Sequence, residues 1–150
     1  MTTDGAMDQA FELIAARAEE SDRSSLVRRE NFQLLARAGY NRMLLDQQTC
    51  PKIAWGCIES LAAACGVTSF VQAQHTGAIG FLSRGLSQPG AERVVEDLLC
   101  GDRLCGVAFA HLRRPVSPVA AYTTSGGYLF EGEAPWFSGW GLMDQMVLGG

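Results

Sequence analysis

The spacing of hydrophobic positions along the chain changes near residue 101. Before that point, apolar residues recur at intervals of three and four, which is the period of an amphipathic helix. After it, short segments alternate apolar and polar residues and are divided by Gly, Pro and Ser, which is typical of strands. The pattern predicts an α+β fold: a helical domain over residues 1–101, followed over 102–150 by the first strands of a small, antiparallel, barrel-like β domain that is truncated.

Four or five helices are predicted in the first part of the chain. The first has four residues on one inward face: Phe11, Ile14, Ala15 and Ala18. The second, over 26–38, directs three residues inward: Phe32, Leu35 and Ala36. Gly39 is its expected C-cap, and residues 41–51 form an irregular connection. The later helices are expected over 51–65, over 67–84 and between Pro89 and Gly101. Residues 67–84 are apolar on nearly every side, so this helix is expected to be buried between others.

Short strands are predicted after residue 101, over 103–112, 119–125, 128–133, 135–138 and 144–150. Gly126 and Gly127 stand between β-forming residues, which predicts a hairpin turn. His111 is placed on the first strand. A structural or ligand-edge role is favoured for it over a general base, because no acid or nucleophile lies at a paired spacing. His75 is expected to be a buried histidine with its hydrogen bonds satisfied.

The composition of the chain argues against several classes of function. The net charge of −4, with 12 Lys and Arg residues and no polybasic tail, argues against a protein that binds nucleic acid through phosphate contacts. The acidic amino-terminus lacks the features of a signal peptide, and the longest apolar runs are too short to span a bilayer. These features predict a cytoplasmic protein without membrane insertion. The five cysteines include no C-x-x-C pair, so free thiols are expected and no metal site is predicted.

The stretch over residues 126–141, G-G-Y-L-F-E-G-E-A-P-W-F-S-G-W-G, has an unusual mixture of side chains. Trp136 and Trp140 lie four residues apart, with Phe137, Ser138 and Gly139 between them. A strand that only fills a core needs neither the hydroxyl nor so many glycines. The mixture favours a strand end that lies against a flat aromatic ligand. For Trp136 both a core position on a strand and contact with such a ligand stay open, whereas Trp140 is expected to cap the sheet or to pack on the helices.

Two segments resemble the amino-terminal half of the acyl-CoA dehydrogenase family. They are G-D-R-L-C-G-V-A-F-A at 101–110 and G-G-Y-L-F-E-G-E-A-P-W-F-S-G at 126–139. In that family a helical domain leads into a small β domain that carries a Trp-Ile-Ser/Thr triplet. Trp136, Phe137 and Ser138 stand where this triplet would. The resemblance covers essentially the whole chain, and its specificity lies mainly in residues 101–148.

The resemblance implies a flavoprotein. Family members hold FAD against the β domain and oxidise an acyl-CoA thioester between Cα and Cβ, with hydride transfer to flavin N5. Carried over, Trp136 lies near the flavin ring, and Phe137 and Ser138 offer backbone groups and a hydroxyl to its edge. The resemblance and the unfinished sheet together imply association with further copies or with a partner subunit.

Three departures from the family pattern qualify this expectation. The family motif F-A-x-T-E-P-x-x-G-S-D is matched only at Phe109 and Ala110, because Leu112 replaces the threonine and no Gly-Ser-Asp follows. The expected flavin contacts from this segment are therefore the backbone groups of His111 and Leu112. The lysine of the family's G-x-K is Ala134 here. The family's catalytic base is a glutamate of a carboxy-terminal helical domain, so the base is expected outside this chain.

A different class of function stays open. A relative that kept the scaffold without the Thr-Glu-Pro and Gly-Ser-Asp elements would serve as a non-catalytic interaction module or a pseudoenzyme subunit. A weaker alternative is a small α+β binding domain without flavin, which matches the family by chance.

Overall fold

A computed structural model describes residues 3–24, 27–46, 48–85 and 90–149. Within them the helices are α1 (Thr3–Ala15), α2 (Ala18–Arg23), α3 (Arg29–Arg37), α4 (Tyr40–Leu45), α5 (Pro51–Ala64), α6 (Gly66–Gly85) and α7 (Ala91–Leu99). The strands are β1 (Cys105–Ala108), β2 (Val119–Thr124), β3 (Gly127–Gly132) and β4 (Gln145–Leu148). A 3-10 turn, Ala110–Arg113, follows β1. This order confirms the predicted α+β class. The described strands form two small sheets and no closed barrel.

Helix α6 is the central element of the fold, with α5, α7 and β1 as its main neighbours. Its buried residues recur at helical spacing: Thr68, Val71, Gln72, His75, Ala78, Ile79 and Gly80. The opposite face is open, since Phe70 is 55% exposed and Phe81 is 53% exposed. The helix lies between other elements as predicted, but among the described residues one of its faces is uncovered, which the sequence does not predict. Apolar composition alone does not distinguish a buried face from an uncovered one.

The largest core lies between α1, α3, α5 and the start of α4. Its fully buried members include Ile14, Leu35 and Leu61, each with no exposed surface. Phe32, Leu35 and Ala36 are all buried as predicted, and Gly39 adopts the left-handed conformation expected of a C-cap, with φ of 87°. Burial of these side chains contributes roughly 1.5–3 kcal/mol each to stability and fixes the angle between the helices.

A buried histidine joins α6 to α7 and β1. The Nε2 atom of His75 lies 3.2 Å from the carbonyl oxygen of Leu98, and the Cys105 N–H donates to Nδ1 at 3.1 Å. Because a carbonyl can only accept, Nε2 carries the proton and Nδ1 presents its lone pair. Burial lowers the pKa of His75 from its usual value of 6.5, so the ring is neutral. The satisfied buried histidine expected from the sequence is confirmed.

The strands pair in two different ways. Strands β2 and β3 form an antiparallel hairpin, with Tyr122 opposite Leu129, as the glycine pair predicts. Strands β1 and β4 are parallel instead, with Cys105 opposite Gln145. The sequence predicts antiparallel strands throughout, because alternation does not encode the direction of a partner forty residues away.

Other local predictions differ from the structure. Residues predicted as an irregular connection contain helix α4, and the first predicted helix is divided by a turn between α1 and α2. Ala15, expected to face inward, is exposed. The predicted strand over 135–138 is a loop, because Pro135 lacks an N–H for a ladder and Gly139 turns the chain at φ of 84°. Pro89, expected near the start of the helix that ends before Gly101, lies outside the described residues. The division into two domains at residue 101 stays a prediction.

Candidate functional site

The candidate site lies on the loop that leads from the hairpin to β4. Gly139 and Gly141 have φ of 84° and 82°, a region that side chains other than glycine rarely adopt. The Leu142 N–H donates to the Gly139 carbonyl at 3.0 Å and closes a tight turn. This turn, rather than a strand, places the aromatic residues of the loop side by side.

Trp136 presents a large free surface. Its side chain is 64% exposed, so it is not sealed inside the protein. The indole Nε1–H donates to the Ser138 hydroxyl oxygen at 3.2 Å. The hydroxyl hydrogen of Ser138 is left to bond elsewhere, because this oxygen acts as the acceptor in the contact. An apolar ring face and a hydroxyl donor therefore stand together.

Phe137 fixes the loop to β1. A Cβ atom built on Gly106 would lie 2.8 Å from Cε2 of Phe137, so the ring packs directly on the strand backbone. Trp140 meets Phe137 edge to face, with ring centroids 6.2 Å apart. Trp140 is nevertheless 85% exposed, so the prediction that it packs on the sheet or the helices is wrong.

An open groove of about 390 Å³ runs beside these rings. It is called the tryptophan groove here and is lined by Phe137, Trp140, Gly141, Met143, Asp144, Gln145 and Met146. Its volume lies at the lower end of the range of small-ligand pockets, about 300–1,000 Å³. The groove has room for a planar ring system rather than for a whole dinucleotide.

Asp144 is the carboxylate of the tryptophan groove, and it is held in its charged form. Arg29 contacts it through two parallel bonds, and the Leu104 N–H donates to Oδ2 at 2.8 Å. The hydrogen bond from Arg29 lowers the pKa of Asp144 below its ordinary value of 3.8. A carboxylate stabilised in this way is a weak base.

The structure places His111 and Leu112 differently from the sequence prediction. His111 lies in the 3-10 turn, not on a strand, and its buried Nε2 lies 2.6 Å from the Gly149 carbonyl. The Leu112 N–H donates to Phe109, and the His111 carbonyl accepts from Arg114. These two backbone groups are thus engaged in the turn itself. Leu112 is 48% exposed and packs against Gly149.

A second groove runs along the open face of α6. It is called the helix groove here and has a volume of about 340 Å³. Its walls include Tyr40, Leu44, Leu45, Ile58, Ala73, Gly77, Phe81 and Arg84. Gly77 has no atom within 4 Å of its would-be Cβ, so there is open space beside it. The lining is mainly apolar, with one guanidinium at the end.

The residues of the tryptophan groove and its flank fit a flavin ring. Trp140, Met143 and Met146 supply an apolar wall of the groove. The exposed indole of Trp136 and the hydroxyl of Ser138 lie on either side of Phe137 along the chain. The His111 side chain is turned toward Gly149 and does not contribute. No group of three or more His, Cys, Asp or Glu side chains in the described residues could hold a metal ion.

The similarity comparisons give no family assignment. No protein-family model matches the chain, and no curated protein is significantly similar to it. The likeness to acyl-CoA dehydrogenases therefore rests on the motif residues alone. Within the described part of the chain, no helix has the length and apolar character needed to cross a membrane.

Sequence reasoning missed several groove residues. Met143, Asp144 and Met146 line the tryptophan groove, yet the sequence places Asp144 and Met146 only on the predicted strand over 144–150 and gives Met143 no role. Asp144 carries no signal of its own in the sequence, because an exposed acid beside a strand is satisfied by water as readily as by a partner. The methionines carry none, since their type is common in cores.

Proposed function

We propose that this chain provides the helical part and the flavin-facing β part of an FAD-dependent oxidoreductase of acyl-CoA dehydrogenase type. The observation that carries the proposal is the arrangement around Phe137: the exposed indole of Trp136 donates its N–H to the Ser138 hydroxyl, and Phe137 between them lines an open groove with aromatic and methionine walls. The motif resemblance names the ligand. The physical arrangement is independent of that resemblance.

When bound, FAD supplies the hydride-accepting chemistry. The residues of this chain position the flavin ring and exclude water from one side. Trp136, Phe137 and Ser138 are proposed to contact it. The backbone of His111 and Leu112 is a weaker part of the proposal, since the Leu112 N–H and the His111 carbonyl already bond within the turn.

Removal of the substrate α-proton needs a base poised near neutral pH. Asp144 is the one carboxylate that lines the described tryptophan groove, and Arg29 keeps its pKa low. This residue is unsuited to the task. We therefore place the catalytic base on a group outside this chain, in a following segment or a partner subunit.

The helix groove is the proposed position of the acyl chain of an acyl-CoA substrate. Its apolar lining and the open space at Gly77 suit a hydrocarbon tail. A homo-oligomer or hetero-oligomer and a cytoplasmic location complete the proposal. Nucleic acid and membrane insertion have no part in it.

Flavin binding is tested by absorbance and titration. The purified chain, or the chain after incubation with FAD, should show flavin bands that are released on denaturation. Trp136→Ala should weaken FAD affinity about tenfold, the effect of losing one aromatic stacking partner. Trp55→Ala is the matched control, because Trp55 on α5 is also 64% exposed.

Two results would contradict the flavin assignment. One is a folded, colourless chain that fails to take up added FAD. The other is equal weakening by the Trp136 and Trp55 substitutions, which would mean that any exposed indole produces the signal.

The acyl position has its own test. Gly77→Leu should fill the helix groove and abolish binding of a medium-chain acyl-CoA, measured by calorimetry, without changing FAD affinity. Gly56→Leu on α5 is the control, since the would-be Cβ of Gly56 also meets no atom within 4 Å. Unchanged acyl-CoA binding in the Gly77 variant would remove the acyl chain from this groove.

A second candidate is a non-catalytic interaction module. The hairpin favours it, because Tyr128, Leu129 and Phe130 are 72%, 49% and 45% exposed. Large apolar residues clustered on a surface are typical of contact with another protein. A chain that binds no FAD but self-associates, with association lost in Phe130→Ser, would support this candidate instead.

A further inference from the structure

The contact between Trp136 and Ser138 is directional. The indole has one polar hydrogen and no acceptor, so the Nε1–Oγ distance of 3.2 Å can only describe donation from Trp136 to Ser138. A serine hydroxyl has one hydrogen and two lone pairs. The indole occupies one lone pair, which directs the hydroxyl hydrogen away from Trp136.

The residues around the Trp136–Ser138 hydrogen bond restrict where the Ser138 hydroxyl lies. Both residues flank Phe137, whose ring is fixed on β1 at Gly106. Trp136 is largely exposed, whereas Ser138 is half-buried. The Ser138 oxygen accepts from Trp136, and the residue between the two is held against β1. A hydroxyl that accepts one bond also becomes a stronger donor of its own hydrogen, because linked hydrogen bonds polarise one another.

We infer that Trp136 is a positioning residue that acts through Ser138. Its indole N–H sets the Ser138 hydroxyl as a hydrogen-bond donor toward an acceptor atom at the edge of the bound flavin. This inference rests on the proposed flavin function, and it assigns Trp136 a role that its ring face alone does not provide. A phenylalanine would retain the aromatic ring and lose the positioning.

The contact is first tested without FAD. The chain has three tryptophans, so the free protein labelled with ¹⁵N gives three indole N–H resonances. Ser138→Ala should shift the Trp136 resonance and speed its exchange with solvent, while Trp55 and Trp140 are unchanged. An unmoved Trp136 resonance would overturn the inference whatever FAD does.

The role is then tested on the flavin complex by a double-substitution cycle. Trp136→Phe and Ser138→Ala should each weaken FAD affinity about fivefold, the loss of one net hydrogen bond, and the double variant should be no weaker than either. The visible bands and the reduction potential of the bound flavin should shift by equal amounts in all three. Trp55→Phe should change none of these values.

The outcomes separate the two claims. A wild-type chain that binds no FAD overturns the proposed function, and the inference with it. A wild-type chain that binds FAD, with Trp136→Phe indistinguishable from it or with effects that add in the double variant, overturns the positioning role alone. Ser138→Thr keeps the hydroxyl and should give the wild-type flavin spectrum. This result would support the positioning role of Trp136.

Discussion

Arg29 and Asp144 form a bidentate ion pair that joins the start of α3 to the start of β4. Nη1 of Arg29 lies 3.1 Å from Oδ1 of Asp144, and Nη2 lies 2.5 Å from Oδ2. Arg29 also donates to the carbonyl oxygens of Asp102 and Leu142. One guanidinium thus ties the start of α3 to the chain just before β1 and to the loop just before β4. This link holds the groove in register with the helical part.

Replacement of Asp144 by Asn should reduce the free energy of unfolding by about 1–2 kcal/mol near neutral pH. The expected loss of unfolding free energy is modest because the two side chains are 33% and 39% exposed and solvent screens their attraction. The pKa of Asp144 is lowered in the folded state, mainly by the hydrogen bond from Arg29. Its contribution is therefore full above about pH 5 and is lost as pH falls below the ordinary value of 3.8 toward the folded-state pKa.

Urea unfolding of both proteins across the acidic range checks this prediction. The difference in unfolding free energy between wild type and Asp144→Asn should become smaller as pH falls. Asp8→Asn on α1 is the control for removal of an exposed carboxylate. A gap that is constant with pH would contradict the ion-pair explanation.

His75→Leu should lower the free energy of unfolding by about 2–3 kcal/mol, because the buried Leu98 carbonyl and the Cys105 N–H lose a partner. Burial lowers the pKa of His75 in the folded state, so the unfolded chain takes up a proton first as pH falls below 6.5. Wild-type stability should therefore decline below that pH toward the folded-state pKa. The variant should decline less, as measured by thermal unfolding between about pH 7.5 and 5.5. An equal decline in both proteins would exclude His75 as the cause.

Gly106→Ala should damage the candidate site through packing. The added methyl would approach the Phe137 ring to about 2.8 Å, which displaces the ring and the groove wall beside it. We expect a loss of about 1–3 kcal/mol in unfolding free energy and weaker FAD binding. Gly126→Ala is the control, because its added methyl meets no atom within 4 Å. Normal FAD binding in the Gly106 variant would argue that Phe137 is no part of the site.

The five cysteine thiols should react with a thiol reagent at different rates. Cys50 and Cys100 are exposed, whereas Cys65 and Cys105 are buried. Burial also raises the pKa of Cys105 to about 11, so it should stay unlabelled in the native protein. The hydrogen bond to Glu96 raises the pKa of Cys100, which should slow its reaction relative to Cys50.

Glu96→Gln should accelerate labelling of Cys100 and leave Cys50 unchanged. Mass spectrometry of partly labelled protein assigns each site. Equal initial rates at Cys50 and Cys100 in the wild type would contradict the influence of Glu96.

The sequence predicts most of the helices because their signals are local. Pro51 begins α5, Gly39 ends α3, and the inward face of α3 follows from spacing alone. The hairpin between β2 and β3 is predictable for the same reason, since two glycines mark its turn. The sequence does not predict helix α4, because its 6 residues are too short a run to show a helical period.

Non-local relationships explain what could not be predicted. The parallel pairing of β1 with β4 depends on Arg29 and on the turn at Gly139, neither of which is near β1 in sequence. The sequence singles out Trp136, Phe137 and Ser138 as a group. In the structure Phe137 lines the tryptophan groove, and Trp136 donates its indole N–H to Ser138. Their use of a loop rather than a strand was not foreseen, because glycine conformations decide it. Flavin contact itself stays a prediction.

The most direct test of the account is an FAD titration of the ¹⁵N-labelled chain, observed at its three indole N–H resonances. The account predicts a saturable shift that is largest for Trp136, smaller for Trp140 and absent for Trp55. A titration in which the Trp136 resonance does not move, or moves no more than that of Trp55, would contradict it.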